Sequence, residues 1–150
     1  MTVSGPDIRP LGPPAGPDDV AALVDLLADA VADGASVGFL APLDRALAAA
    51  YVAERLAEVR AGRRVVLVAR DGGRIVGSVH LALAFDQNSA HRAEVQRLLV
   101  LRSHRGRGIG AALMRAVEGE ARARGRTLLV LNTRTGGPPT SARSWPRSKP

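Results

Sequence analysis

Residues 97–114 read RLLVLRSHRGRGIGAALM, so that an apolar segment, a basic glycine-rich turn and a second apolar segment follow one another. After the turn, apolar side chains recur at the spacing of roughly 3.6 residues that is typical of an amphipathic helix, at Ile109, Ala112, Leu113, Ala116 and Val117. Gly125 marks the end of this helix, and the apolar run at 128–131 is typical of a strand covered on both faces. A strand, a helix and a strand in this order predict a right-handed parallel crossover.

The glycine-rich turn has the chemistry of an anion-binding site. Glycines between a strand and a helix let backbone N–H groups face outward, and the start of the helix adds the positive end of its dipole. Arg102, Arg105 and Arg107 add positive charge to the same turn. The alternative interpretation is an exposed basic turn in which glycine serves backbone geometry alone. We expect phosphate oxygens to bind here.

Two other phosphate-binding motifs fit this turn poorly. The Walker A pattern fails because no Gly-Lys-Ser/Thr follows the turn. The dinucleotide fingerprint is matched superficially by Gly106, Gly108 and Ala111, but it also wants an acidic residue about 20 positions further on. Asn132 stands there instead, which disfavours a nicotinamide cofactor.

Two helices are predicted ahead of the turn. Asp18 begins a helical pattern of apolar residues that ends before Gly34. Pro42 is expected to open the second helix, and Gly62 to supply its C-cap. Pro and Gly crowd the first 17 residues and defeat a helix there, although residues 8–11 fit one short edge strand.

Strands are predicted after the second helix. A β-branched run at 65–68 leads to Asp71-Gly72-Gly73, a turn that predicts a hairpin with the apolar positions at 75–79. A further strand is expected at 92–101. The fold class is therefore a mixed α/β (α+β) sheet, with antiparallel N-terminal strands followed by a parallel βαβ unit.

Length and composition predict one domain in the cytoplasm. The chain has 150 residues, of which 46% are apolar, and no apolar run approaches the roughly 20 residues that cross a bilayer. The first residues lack a signal-peptide pattern. The absence of cysteine excludes disulfides and thiolate zinc sites, and three scattered histidines make a poor metal site, so no metal is predicted.

The net charge of +7 invites a nucleic-acid interpretation, because basic surfaces attract polyanions. Nearly all of this charge is arginine, and aromatic residues for base stacking make up 3% of the chain. A basic nucleic-acid-binding module is therefore kept as a less favoured alternative, and no specific nucleic acid is expected as a partner.

The turn resembles the pyrophosphate-binding motif of the GNAT superfamily of acetyl-CoA-dependent N-acetyltransferases, which is Gln or Arg, two residues, Gly, one residue, and Gly or Ala. Arg105, Gly108 and Gly110 fill this pattern, and the predicted strand and helix supply its context. The resemblance covers about residues 7–134. It implies acetyl-CoA as co-substrate, with the main chain of Leu99 and Val100 bonded to its pantetheine arm. Its pyrophosphate would lie on the turn and the helix start, at Arg105, Gly106, Arg107, Gly108, Ile109, Gly110 and Ala111.

The resemblance also implies a general base. An alkylamine with a lysine-like pKa of about 10.4 is protonated near neutral pH, so a base is useful. In GNAT enzymes a strand carboxylate often accepts the amine proton, and Glu94 lies at a similar position. The alternatives for Glu94 are an ion pair with Arg92 or Arg97, or a solvated face. Because side chains alternate along a strand, Glu94, Gln96 and Leu98 share one side unless a bulge intervenes.

Other polar residues are weaker candidates for the site. His91 and His104 are expected to be loop histidines rather than bases. Residues 86–90 form a polar loop suited to line an acceptor pocket, and Tyr51 could reach that pocket from the second helix, although packing is the favoured role. The acceptor is expected to be a small-molecule or protein amine, bound by a monomer or homodimer without a membrane.

The resemblance ends near residue 134. Residues 135–150 carry four prolines and no apolar periodicity, which predicts a disordered tail after an incomplete domain at 1–134. GNAT chains continue here into a helix, often with a tyrosine general acid, and closing strands. We expect these to be missing through truncation or a frame shift near Thr135, with the strand at 128–131 left as an edge. The alternative function is a catalytically degenerate acetyl-CoA-binding remnant.

Overall fold

The computed structural model describes residues 7–12, 16–33, 43–83, 92–131 and 141–144. The helices and strands in these ranges, in chain order, are β1 (Asp7–Pro10), α1 (Pro17–Ala32), α2 (Arg45–Arg60), β2 (Arg64–Asp71), β3 (Arg74–Leu83), β4 (Arg92–Val100), α3 (Ile109–Ala123), β5 (Leu128–Leu131) and β6 (Ser141–Ser144).

The strands form one sheet in the order β1-β2-β3-β4-β5-β6. Neighbouring strands are antiparallel except β4 and β5, which run parallel and are joined through α3. The mixed sheet and the parallel βαβ unit that the sequence predicts are therefore confirmed.

The helix boundaries follow their capping chemistry. The first helix is confirmed, with Pro17 in its first turn, where a missing N–H costs nothing. Pro42, the predicted opening of the second helix, lies outside the described residues, and α2 begins at Arg45 behind an Asp44 cap. The Asp44 carboxylate accepts the N–H groups of the second and third helical residues at 3.0 and 3.2 Å, and so satisfies donors that the helix start leaves unpaired. Gly62 follows the last turn with φ +78, as expected of a C-terminal glycine.

The hairpin of β2 and β3 turns at Gly72 and Gly73, whose φ angles are +59 and +83. Two successive positive φ values are what a two-residue hairpin turn needs to match the twist of its strands. The prediction of a hairpin at Asp71-Gly72-Gly73 is confirmed.

A β-bulge interrupts β4. Ser78 of β3 is opposite Leu99, whereas His80 is opposite Gln96, so β4 carries one extra residue between these pairs. Arg97 sits in the bulge with φ +57. Residues opposite each other share a face of the sheet, so Leu99 rather than Leu98 lies on the side of Gln96. Leu98 is exposed.

The sheet is covered on both faces. Helices α1 and α2 contact β2, β3 and β4 on one side, and α3 contacts the same strands on the other. The fully buried side chains between these layers include Leu26 of α1, Leu67 of β2, Leu81 of β3, Leu113 of α3 and Leu129 of β5. The sheet and the two helical layers therefore enclose one packed core.

Gly77 lies where α3 approaches β3 most closely. A Cβ placed on it would come within 3.1 Å of Leu113, 3.2 Å of Ile109 and 3.2 Å of the Leu99 carbonyl oxygen. We expect Gly77→Ala to lower the free energy of unfolding by about 1–3 kcal/mol through overpacking, as measured by urea denaturation. Gly119→Ala is the control, since its Cβ meets nothing within 4 Å and alanine favours a helix. A G77A protein as stable as wild type would refute the close approach.

The C-terminal expectation is wrong for residues 141–144. These four residues form β6, which pairs antiparallel with β5 from Leu128↔Ser144 to Leu131↔Ser141, so β5 is not an edge of the sheet. Backbone N–H and C=O groups along an open edge pair with another strand almost regardless of its side chains, which a composition argument overlooks. The other residues of 135–150 lie outside the described ranges, and the domain boundary at 134 and the truncation stay predictions.

Candidate active site

The turn between β4 and α3 positions the start of α3. A short 3₁₀ segment, Arg102–His104, leads into Gly106 and Gly108, both with φ +79. Gly108 is the residue before the first helical residue of α3 and brings no side chain to cap it. The first N–H groups of a helix have no partner within the helix, so here the backbone itself is offered to a ligand.

A cavity of about 380 Å³ opens at this turn. It brings together seven residues that the sequence predicts as cofactor-binding: Leu99, Val100, Arg105, Gly106, Gly108, Ile109 and Gly110. The other two, Arg107 and Ala111, are exposed on the same turn and first helical turn but do not line the cavity. No acidic side chain of the described residues lines it, so no negative charge on the cavity wall would repel an anion.

Carboxylates at the end of α1 hold the arginines of the turn. Asp29 accepts the backbone N–H and the Nε of Arg102 at 2.9 and 3.1 Å, and Asp33 accepts Nη1 of Arg105 at 2.7 Å. The hydrogen bond and the positive charge of Arg105 lower the pKa of Asp33 below its usual value. These arginines therefore anchor the turn to α1, and its preference for an anion rests more on backbone N–H groups than the sequence suggested.

Glu94 belongs to a polar network on the α1/α2 side of the sheet. Its Oε1 accepts a hydrogen bond from Nε2 of Gln96, and Oε1 of Gln96 accepts Nη1 of Arg64 at 3.0 Å. The same Nη1 lies 3.1 Å from Nδ1 of His80, and Nε of Arg64 donates to Glu58 at 2.7 Å. The network joins β2, β3, β4 and α2.

His80 is neutral in this network. A guanidinium carries donors alone, so Nδ1 of His80 accepts from Arg64 and the ring proton resides on Nε2. Burial, reinforced by the positive charges of Arg64, Arg97 and Arg55, lowers the pKa of His80 from 6.5 to about 3. Protonating this ring would place a buried positive charge beside the buried guanidinium of Arg64.

His80 makes stability sensitive to acid. Its pKa is depressed in the folded state, so its contribution is complete above about pH 6.5 and is lost as the pH falls from there towards 3. We expect the free energy of unfolding to drop across this window by on the order of a few kcal/mol more in wild type than in His80→Gln. Denaturation curves at several pH values measure the difference. His104→Gln is the control, and it should keep the acid sensitivity of wild type. Equal acid sensitivity in H80Q and wild type would contradict the assignment.

Tyr51 lies beside the bulge of β4. Its hydroxyl accepts a hydrogen bond from Nε of Arg97 at 2.9 Å, and the guanidinium carbons of Arg55 and Arg97 stand 5.0 and 5.2 Å from its ring centre. Tyr51 and Leu99 line a second cavity of about 20 Å³, and Leu99 also lines the larger one. Tyr51 thus packs between arginines, next to a residue that also lines the cavity at the glycine-rich turn.

Of the remaining polar residues that the sequence suggests for the site, His104 is described by the structure and the others are not. His104 lines the larger cavity, and its ring nitrogens contact Asp71 at 3.0 Å and Ser103 at 2.8 Å. His91 and the loop 86–90 lie outside the described residues. Within the described ranges, no group of three or more His, Asp or Glu side chains could hold a metal ion, and no helix has the length and apolarity to cross a membrane.

Sequence reasoning missed Arg64, His80, Asp29 and Asp33. His80 stands between Val79 and Leu81 on β3, and a polar residue inside an apolar run is a signal that could have been followed. Arg64 follows Arg63 at the start of β2 and gives no such signal. The two aspartates lie at the end of α1, Asp29 in its last turn and Asp33 directly after it, more than 70 residues before the turn. Nothing local in the sequence indicates which partner they meet.

Solved structures of similar fold are acetyltransferases. Ribosomal-protein-alanine N-acetyltransferase from Brucella melitensis is 26% identical, with 87% of this chain and 75% of that chain covered and a TM-score of 0.66. An N-acetyltransferase from Staphylococcus aureus Mu50 is 22% identical over 89% and 76% of the two chains, with a TM-score of 0.68. The protein yncA from Salmonella typhimurium, solved with its cofactor acetyl-CoA, is 23% identical over 87% and 70%, with a TM-score of 0.64.

The family itself follows from the sequence match. The family model of the acetyltransferase (GNAT) family matches residues 25–140, which include Glu94, the glycine-rich turn and α3. The chain therefore belongs to the GNAT acetyltransferase family, and it is an acyltransferase.

Proposed function

We propose that this chain is an N-acetyltransferase that transfers the acetyl group of acetyl-CoA to a primary amine. The observation that carries the proposal is the cavity at the start of α3, where glycines in the left-handed region offer backbone N–H groups and no described carboxylate is among the lining residues. The family membership supplies the reaction type. The acetyl-CoA in the yncA structure supports the choice of co-substrate.

The residues of this chain divide the work between binding and proton transfer. The pyrophosphate would bind the N–H groups around Gly108 and Gly110, and the pantetheine arm would follow the main chain of Leu99 and Val100. The amine nitrogen attacks the thioester carbonyl, so that a C–N bond forms, the C–S bond breaks and the electron pair leaves on sulfur. The carboxylate of Glu94 takes the proton of the amine, directly or through water.

The position of Glu94 on the sheet supports its proposed role as the base beside the bound donor. Glu94 and Leu99 share the α1/α2 side of β4, and Leu99 reaches the cofactor cavity, so one strand connects the base to the bound donor. The bulge at Arg97 brings Leu99 onto that side. An acceptor amine between Glu94 and the thioester would complete the arrangement.

The acceptor is tested with a panel of amines. The Brucella protein is named a ribosomal-protein-alanine N-acetyltransferase, so an alanine-initiated peptide is the first probe and its N-acetylated form the control. Spermidine and an aminoglycoside test small-molecule amines. Release of the CoA thiol and acetylation of the product, both dependent on a free amine, support the proposal.

Binding of acetyl-CoA without transfer to any amine would instead favour the catalytically degenerate remnant. Affinity for DNA or RNA that falls steeply with salt, together with indifference to acetyl-CoA, would favour the basic nucleic-acid-binding module. The cytoplasmic location and the monomeric or homodimeric state stay predictions.

A further inference from the structure

The network that ends at Glu94 is ordered by a buried arginine. The side chain of Arg64 is 5% exposed, and its Nε is held by Glu58 of α2 at 2.7 Å. Its Nη1 contacts both His80 and Gln96, so the two protons of that nitrogen each have an acceptor. Buried hydrogen bonds of a charged group are stronger than exposed ones, and the position of Arg64 is therefore well determined.

Arg64 determines which way the amide of Gln96 points. A guanidinium has no acceptor, so the group of Gln96 that faces Arg64 has to be its carbonyl oxygen. The amide nitrogen then points along the strand and donates to the carboxylate of Glu94. The flipped amide would set its NH₂ group against the guanidinium and its oxygen against the carboxylate, so both contacts would become repulsive.

We propose that Arg64 and Gln96 are positioning residues that orient the carboxylate of Glu94 for proton transfer. This inference rests on the proposed function, in which Glu94 is the base. The terminal torsion of a glutamate is broad, so an unattached carboxylate samples many orientations. The hydrogen bond from Gln96 to Oε1 fixes that torsion and, with it, the direction of Oε2. A base whose oxygen is held in place avoids the entropic cost of finding the amine.

The neutral His80 belongs to the same hydrogen-bond network. Nδ1 of His80 accepts a hydrogen bond from one N–H of Arg64 Nη1, and Oε1 of Gln96 accepts one from the other N–H. Arg64 contacts the ring, and the positive charges of Arg64, Arg97 and Arg55 favour its neutral form. Arg64, His80 and Gln96 come from three adjacent strands, so the orientation of Glu94 is set by the sheet rather than by a loop.

An NMR measurement tests the orientation of the amide without any acceptor. The chain has two glutamines, Gln87 and Gln96, so the side-chain NH₂ signals of glutamine in the full-length protein are few, and Gln96→Met identifies the relevant pair. We expect this pair to move in Arg64→Lys, because an ammonium cannot reproduce the planar fork of a guanidinium. Arg60→Lys, at the exposed end of α2, is the matched control and should leave the pair in place. An unmoved pair in R64K would overturn the inference.

A kinetic cycle tests the consequence for Glu94, with the alanine-initiated peptide as acceptor. We expect Gln96→Met to lower kcat about tenfold, the loss of one hydrogen bond to a charged group, and to leave the KM for acetyl-CoA unchanged. Because Gln96 acts through Glu94, the double variant E94Q/Q96M should be no slower than E94Q alone. A merely structural role would lower both backgrounds equally.

The outcomes separate the two proposals. A slow E94Q protein together with an unaffected Q96M protein, or an equal loss in both backgrounds, overturns the positioning role and leaves Glu94 as the base. An E94Q protein with the turnover of wild type overturns Glu94 as the base and the positioning role with it, while acetyl transfer by the chain stands.

Discussion

Gly108→Val is expected to weaken acetyl-CoA binding about 100-fold or more. The φ of Gly108 is +79, a region that costs an L-residue roughly 1–2 kcal/mol and a β-branched residue more. The helix start would shift to relieve this strain, and at least two charge-assisted hydrogen bonds from the first N–H groups would be lost. Isothermal titration with acetyl-CoA measures the loss.

Two control variants distinguish the effect of backbone strain alone from the effect of losing the acetyl-CoA site. Gly62 has φ +78, its Cβ would also meet nothing within 4 Å, and it lies at the end of α2, so Gly62→Val carries the same strain and should keep binding. Gly110→Ala should also bind, since its Cβ meets Val100 at an ordinary 3.9 Å and the family motif accepts alanine there. A G108V protein that binds acetyl-CoA as tightly as G62V would show that the site lies elsewhere.

Glu94→Gln is expected to lower kcat by about 10²- to 10⁴-fold, the usual contribution of a positioned general base. The amide is nearly the same size and can still accept the hydrogen bond from Gln96, so the fold and the cofactor cavity should be unaffected. The loss should therefore appear in kcat, with the Kd for acetyl-CoA close to that of wild type.

Steady-state kinetics with the best amine of the panel measure this effect. Glu54→Gln is the charge-matched control, because Glu54 is exposed on α2 and pairs with Arg55 at the surface. Its turnover should equal that of wild type. If E54Q and E94Q were equally active, another group would have to take the amine proton.

The fold was predictable where its signals are local. The turn at 105–110, the helix after it and the strand at 128–131 follow from spacing and composition within some 30 residues, and all three agree with the structure. The hairpin at Gly72 and Gly73 could also be predicted from the sequence, because two successive glycines favour a two-residue turn with positive φ angles. Such elements depend little on the rest of the chain.

Elements that depend on distant partners were not predictable. The start of α2 at Arg45 depends on a capping geometry at Asp44 that the sequence does not specify. β6 forms because β5 presents backbone groups to it, a reason that no side chain of residues 141–144 reveals. The sequence left open whether a bulge would interrupt β4, and one extra residue at Arg97 does reverse the alternation, so that Leu98 leaves the side of Gln96.

The candidate site shows the same division. The glycine-rich turn was predicted to bind an anion from its glycines, and Glu94 was predicted as the base from a family resemblance, because both lie in one continuous stretch. Arg64, His80 and Gln96 meet across β2, β3 and β4, and their partnership arises from register rather than from spacing. Asp29 and Asp33 similarly gain their role only when α1 packs beside the turn.

The central claim is that this chain binds acetyl-CoA, and the most direct test is its melting temperature with and without excess acetyl-CoA. A ligand that binds the folded state alone stabilises it by about 2.7 kcal/mol at a concentration of 100 Kd, so we predict a clear upward shift. A cooperative melt at the same temperature with and without acetyl-CoA would contradict the account.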